Sequence, residues 1–134
     1  MKAFRVSMCV IAGLLIIVLM AGCGGSETAE TPGEPEYAGE ATDILLQGLS
    51  ENSLEKYTRY GNQEFKAAVT QEVLDKAVSQ VIGQLGAYKS KEFLSVEEQG
   101  EYIIVHYKAT FEKGEVGVRM VFDADHLVAG QWFE

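Results

Sequence analysis

Two hydrophobic rhythms divide the chain. From Ala87 onward apolar residues alternate with polar ones, the period of a half-buried strand. Before that point they recur every third or fourth residue, the period of a helix face. The alternating half predicts four strands, near Tyr88–Val96, Tyr102–Glu112, Glu115–Asp123 and Leu127–Phe133. Lys113-Gly114 reads as a two-residue hairpin loop, with Gly supplying a positive φ. That loop pairs Phe111 with Val116, Ala109 with Val118, Tyr107 with Met120 and Val105 with Phe122, all apolar. The other face then sets Lys108 opposite Arg119. In the last strand Val128 and Trp132 share one parity, and Leu127, Ala129 and Phe133 the other.

The helical half predicts three segments. Ala41, Ile44, Leu45, Gly48 and Leu49 lie on one face of a helix over Ala38–Leu49. Asn52, with Glu55 three residues on, resembles a capping box for a short helix over Ser53–Tyr60. Thr70 is a good N-cap for a helix over Gln71–Leu85, stopped by Gly86. Its stripe of Val73, Leu74, Ala77, Val78, Val81, Ile82 and Leu85 is the broadest, so this helix is expected to lie across the sheet through Val78 and Val81. Helices followed by an antiparallel meander define an α+β fold, with the helices on the sheet face bearing Tyr107 and Met120.

A third rhythm precedes both. Lys2 and Arg5 lead into an unbroken small-or-apolar run, Val6 to Gly22. At ~1.5 Å per residue that run reaches roughly 25 Å, short of a bilayer core of about 30 Å, and the charged-then-apolar plan is that of a secretory signal. The boundary Leu19-Met20-Ala21-Gly22-Cys23 resembles a prokaryotic lipobox, with Met20 where Leu is usual. The resemblance implies that Cys23 receives a diacylglycerol and a fatty acyl group such as palmitate and becomes the first mature residue. An uncleaved anchor helix is the alternative. Either way the positive N-terminus places the domain on the extracytoplasmic side. Residues 1–22 are then the signal peptide, 23–37 a flexible acidic linker rich in Gly, Ser, Thr, Pro and Glu, and 38–134 the folded domain. The other cysteine, Cys9, leaves with the signal, so no disulfide is expected.

A formal net charge of −9 argues against nucleic acid as a partner, because phosphate binding needs clustered Lys and Arg. No nucleophile elbow, zinc-helix motif, P-loop or paired-cysteine motif is present, and neither a cofactor nor a metal is expected. His106 falls on the outer sheet face and His126 in the turn Asp123–Leu127. Asp123, Asp125 and His126 admit a weak cation site, but turn chemistry explains them as well. Lys108 and Arg119 form a candidate basic spot, unless glutamates such as Glu92 neutralise them. Tyr57, Tyr60, Tyr107, Met120 and Trp132 are candidate pocket-lining residues, with plain core as the other reading. The inward face of the central hairpin offers no general base, and Tyr107 is its one titratable group.

The Gly-aromatic end of the long helix, the hairpin Phe111-Glu112-Lys113-Gly114-Glu115-Val116 running on to Phe122-Asp123, and the closing Val128-Ala129-Gly130-Gln131-Trp132-Phe133 resemble the domain-of-unknown-function 3887 family over Ile44 to Phe133. The resemblance implies a nuclear-transport-factor-2-like, cone-shaped fold. Such domains occur alone in exported lipoproteins or ahead of α/β-hydrolase domains. The family carries no agreed catalytic residues to transfer. Two functions stand as expectations: a membrane-tethered, non-catalytic module that binds a protein or small ligand, or a small-pocket enzyme of isomerase-like or hydrolase-associated type.

Overall fold

The computed structural model describes residues 33–134. The predicted signal segment, Cys23 and most of the predicted linker lie outside the described residues. The elements are α1 (Glu36–Glu51), α2 (Leu54–Thr58), α3 (Gln63–Ala68), α4 (Gln71–Ala77), a π-helical turn (Val78–Ile82), α5 (Gly83–Leu85), β1 (Tyr88–Gln99), β2 (Tyr102–Phe111), β3 (Gly114–Phe122) and β4 (Val128–Phe133). The four strands pair antiparallel in sequence order, giving an α+β fold with an open meander.

Local chemistry sets the helix ends. Asn52 closes α1 in the left-handed region at φ 55°, and the adjoining Ser53 N–H returns to the Gly48 carbonyl at 2.7 Å. So Asn52 ends one helix rather than starting the next. Ser53 caps α2 by accepting from the Lys56 N–H. Asn62 caps α3, whose helical turn delivers Phe65 to the core, and Thr70 caps α4 as expected. Helix α1 begins at Glu36, so Glu36 and Tyr37 belong to it and not to a linker.

The helix that covers the sheet is α1, not the segment over 71–85. Ala38, Ala41, Thr42, Leu45, Leu46, Gly48 and Leu49 of α1 are buried, whereas Leu74 is the one buried residue of α4 and Val73 is 45% exposed. Val78 and Val81 are half-buried and pack on the core's margin. A continuous apolar stripe presumes 3.6 residues per turn. The π-helical turn at Val78–Ile82 is wider than that, and the stripe residues in and after it, Val78, Val81, Ile82 and Leu85, reach only the margin of the core.

The inner sheet face is as expected: Val105, Tyr107, Ala109, Phe111, Val118, Met120 and Phe122 are all buried against the helices. The register is not. Ala109 pairs with Val116, Tyr107 with Val118, Val105 with Met120 and Ile103 with Phe122, so the loop is Glu112-Lys113. A shift of two residues keeps every side chain on its face, because the strand period is two. The loop is placed by its neighbours and not by a glycine conformation. The Lys113 and Glu112 N–H groups donate to the Leu85 and Ala87 carbonyls at 2.7 and 3.0 Å, and the Glu112 carboxylate accepts from the Ala87 N–H at 2.9 Å. Gly114 has no positive φ.

The Asp123–Leu127 turn is built by Asp123. Its Oδ1 accepts from the N–H groups of Asp125 and Leu127 at 2.9 and 3.0 Å, and its Oδ2 from Asn62 at 3.0 Å. Partial burial would raise the Asp123 pKa; these hydrogen bonds outweigh it and hold the group below its ordinary value. A depressed carboxylate contributes stability above its unfolded pKa of about 3.9, and that contribution is lost as pH falls through the lower folded value. The stability advantage of wild type over Asp123→Asn, read by denaturant titration, should therefore be constant from pH 7 to 5 and shrink below about pH 4. An advantage that stays flat to pH 2 would exclude this role.

Candidate functional site

The residues proposed to line one pocket are not brought together. Tyr107 and Met120 are fully buried core, packed beneath α1. Tyr57 is buried at the α2 side, where its hydroxyl donates to Gln131 Oε1 at 2.8 Å and burial raises its pKa to about 12. Tyr60 borders a shallow cleft with Tyr37, Glu40 and His126. Trp132 stands on the opposite, outer sheet face, 49% exposed. The last strand defeats simple parity because Phe122 pairs with Val128 and Val121 with Gly130. Ala129 is thus an extra residue, a bulge that sends Val128 inward and Trp132 outward.

Lys108 and Arg119 are not cross-strand partners. Lys108 lies opposite Gly117, with its ammonium 3.3 Å from Glu92 and 3.9 Å from Glu115. Arg119 lies opposite His106, reaches to 3.8 Å from Glu134, and stacks its guanidinium on the Trp132 ring with 4.8 Å to the centroid. The cations are therefore individually neutralised along the outer face. His106 is on that face as expected, 3.1 Å from Glu97 and 3.5 Å from Glu134. Its side chain is 26% exposed there. His126, in the left-handed region at φ 66°, stacks on Tyr37 at 4.1 Å. Among the described residues no acidic or histidine group is arranged to hold a metal ion, and the Asp123 oxygens are taken up by its own turn.

One polar cluster does penetrate the helix–sheet seam. The Tyr107 hydroxyl, at the inner face of β2, donates to Glu34 Oε1 at 2.8 Å. Lys91 of β1 places its ammonium 2.9 Å from Asp43 Oδ2, 3.9 Å from Glu34 Oε1 and 5.4 Å from the Tyr107 ring centroid. Tyr88 donates to Asp43 Oδ1 at 2.6 Å. Thr42 of α1 is fully buried, and its hydroxyl has no well-formed hydrogen bond among the described residues. Burial first, then the bonds to Glu34 and Asp43, raise both Tyr107 and Tyr88 far above the usual tyrosine value; Thr42 opposes the shift at Tyr107.

Glu34, Asp43 and Lys91 are the residues that pattern reading missed. Lys91 faces inward because β1 carries two bulges, between Tyr88 and Ser90 and between Phe93 and Ser95. Inward positions therefore run Tyr88, Lys91, Phe93, Val96, and strict alternation puts Lys91 on the wrong side. Asp43 lies just off the buried stripe of α1, and Glu34 precedes that helix. The one signal available was an inward tyrosine, Tyr107, whose hydroxyl needs a partner when buried.

The architecture defines the chain as an α+β open-sheet domain. Its sequence matches the family described as protein of unknown function, DUF3887, over residues 43–130, and the chain belongs to that family. No curated protein matches it. Among solved structures, an NTF-2 like protein of unknown function from Burkholderia xenovorans LB400 is similar at 13% sequence identity, with 74% of this chain and 84% of that one covered and a TM-score of 0.42.

Proposed function

We propose that the chain is a lipid-anchored domain on the extracytoplasmic side of the membrane, and that it recognises a partner rather than transforming a substrate. Its place rests on the Leu19–Cys23 lipobox behind a charged and then apolar leader. Among the described residues no helix is long and apolar enough to cross a membrane. The observation that supports recognition over chemistry is the closed inner face. The space between α1 and the sheet, where an enclosed substrate would sit, is filled by Leu45, Leu49, Tyr107, Met120 and Phe122, all buried.

The alternative, a small-pocket enzyme, draws its support from the cluster of Tyr107, Glu34, Lys91, Asp43 and Tyr88. Two features weigh against it. Both tyrosines are held protonated at neutral pH, and each carboxylate already accepts a hydrogen bond from one of them.

The anchor is tested by metabolic labelling with a fatty-acid analogue and by fractionation. Wild type should be labelled and sediment with membranes; Cys23→Ser should lose the label. Equal labelling of the two would end the claim. The absence of chemistry is tested by complementing a deletion strain with Asp43→Asn, which removes the carboxylate that acid–base chemistry in this cluster would use and leaves the Tyr107 and Lys91 donors in place. It should restore the phenotype fully if it folds, and a folded variant that fails would put the enzyme reading first.

A further inference from the structure

The Glu34 side chain sits in a seat built for a carboxylate. One wall is the Tyr107 hydroxyl, donating at 2.8 Å. Another is the Lys91 ammonium at 3.9 Å, its side chain only 13% exposed. The α1 wall is opened by Gly39: a β-carbon there would stand 2.9 Å from Glu34 Oε1. Thr42 of α1 is fully buried beside the Tyr107 hydroxyl and makes no well-formed hydrogen bond. A buried hydroxyl without a partner is costly, so the seat holds more donor capacity than Glu34 uses. The occupant itself is weakly held. Gly33, Glu34 and Pro35 belong to no helix or strand, and the Glu34 side chain is 36% exposed.

We infer that this is a binding site for a small aliphatic monocarboxylate, filled in cis by Glu34. Beyond its α-carbon, glutamate is a propionate, and that sets the size of ligand the seat takes. The fixed donors are Tyr107 and Lys91. Asp43 faces Lys91 from α1 and neutralises part of its charge; what remains, with the charge-assisted bond from Tyr107, favours a carboxylate over a neutral amide. A free acid has no backbone to restrain it and can settle on the Tyr107 and Lys91 donors in the geometry they favour. When it binds, Glu34 leaves, and its side chain no longer ties the start of α1 to β2. The seat does not depend on where the chain resides or on whether it is lipidated.

The test uses the purified full chain as wild type, Glu34→Ala and Glu34→Ala/Tyr107→Phe. Thermal midpoints are read in sodium propionate, in sodium chloride at equal ionic strength, and in propionamide. Glu34→Ala should gain about 3–5 °C in propionate at roughly twice its Kd, over chloride, rising with the logarithm of concentration above that, and none in propionamide. Wild type should gain far less at the same concentration, because Glu34 competes, and the double variant should gain nothing. If Glu34→Ala is unfolded, recovery of its circular-dichroism signal in propionate but not chloride is the supporting readout. Equal midpoints in propionate and chloride, no recovery, or an equal gain in wild type or the double variant overturns the proposal.

Discussion

Leu46→Ala will destabilise the domain by about 2–5 kcal/mol, and Val81→Ala by only about 1 kcal/mol. The two residues stand for two readings of which helix covers the sheet. Leu46 is fully buried on α1, in one cluster with the inner face of β2 and β3. Truncation removes three buried carbons and leaves a cavity that rigid neighbours cannot fill. Val81 lies in the π-helical turn, half-buried at the margin of the same cluster, and much of what it loses is already wet. Urea titrations of both variants at constant m-value decide the matter. If Val81→Ala is the costlier, the long segment carries the core after all.

Gly48→Ala will cost about 3 kcal/mol, although alanine is the better helix former by ~1 kcal/mol. Gly48 lies in the last turns of α1, where α2 crosses close by. A β-carbon there would meet the Lys56 carbonyl carbon at 2.9 Å and the Tyr57 amide nitrogen closer still. Both are backbone atoms within a short helix pinned by its Ser53 cap and by the buried Tyr57, so no side chain can swing aside. Relief requires α2 to move as a body, which also disturbs the Tyr57–Gln131 hydrogen bond. Gly83→Ala is the control. Its nearest neighbour would be 4.0 Å away, so helix propensity prevails and stability should rise by as much as ~1 kcal/mol. Equal effects of the two substitutions, measured by thermal denaturation, would show that α1 and α2 are not in close contact.

How much of the fold was legible in the sequence depends on how local each signal is. The inner faces of β2 and β3 could be read residue by residue, because uninterrupted alternation places Val105, Tyr107, Ala109 and Phe111 on one side whatever the loop. The loop itself escaped because its position depends on carbonyls of Leu85 and Ala87 that no hairpin rule contains. Strands β1 and β4 were harder for one shared reason: a bulge changes parity, and neither Lys89, Leu94 nor Ala129 announces that it is the extra residue. The stripe over 71–85 misled in a similar way, since periodicity reports which residues share a face and not how deeply that face is buried. The candidate pocket dissolved because Tyr57, Tyr107, Met120 and Trp132 satisfy different needs: two are core, one anchors Gln131, one carries Arg119. The Glu34 seat draws on the segment ahead of α1, on α1, on β1 and on β2, and no single window of sequence contains it.

The order of elements has a consequence in time. The strands pair strictly with their neighbours in the chain, so the sheet can grow hairpin by hairpin from local contacts. Helix α1 has only the short α2 as a partner beside it in the chain. It is the first described element to be synthesised, and its cover, the face of β2 and β3, is nearly the last. Until β2 and β3 have emerged, Leu45, Leu46 and Leu49 lack most of the face they bury against. The nascent chain thus carries a partly covered apolar helix through most of the domain's synthesis, and the sheet closes onto it late.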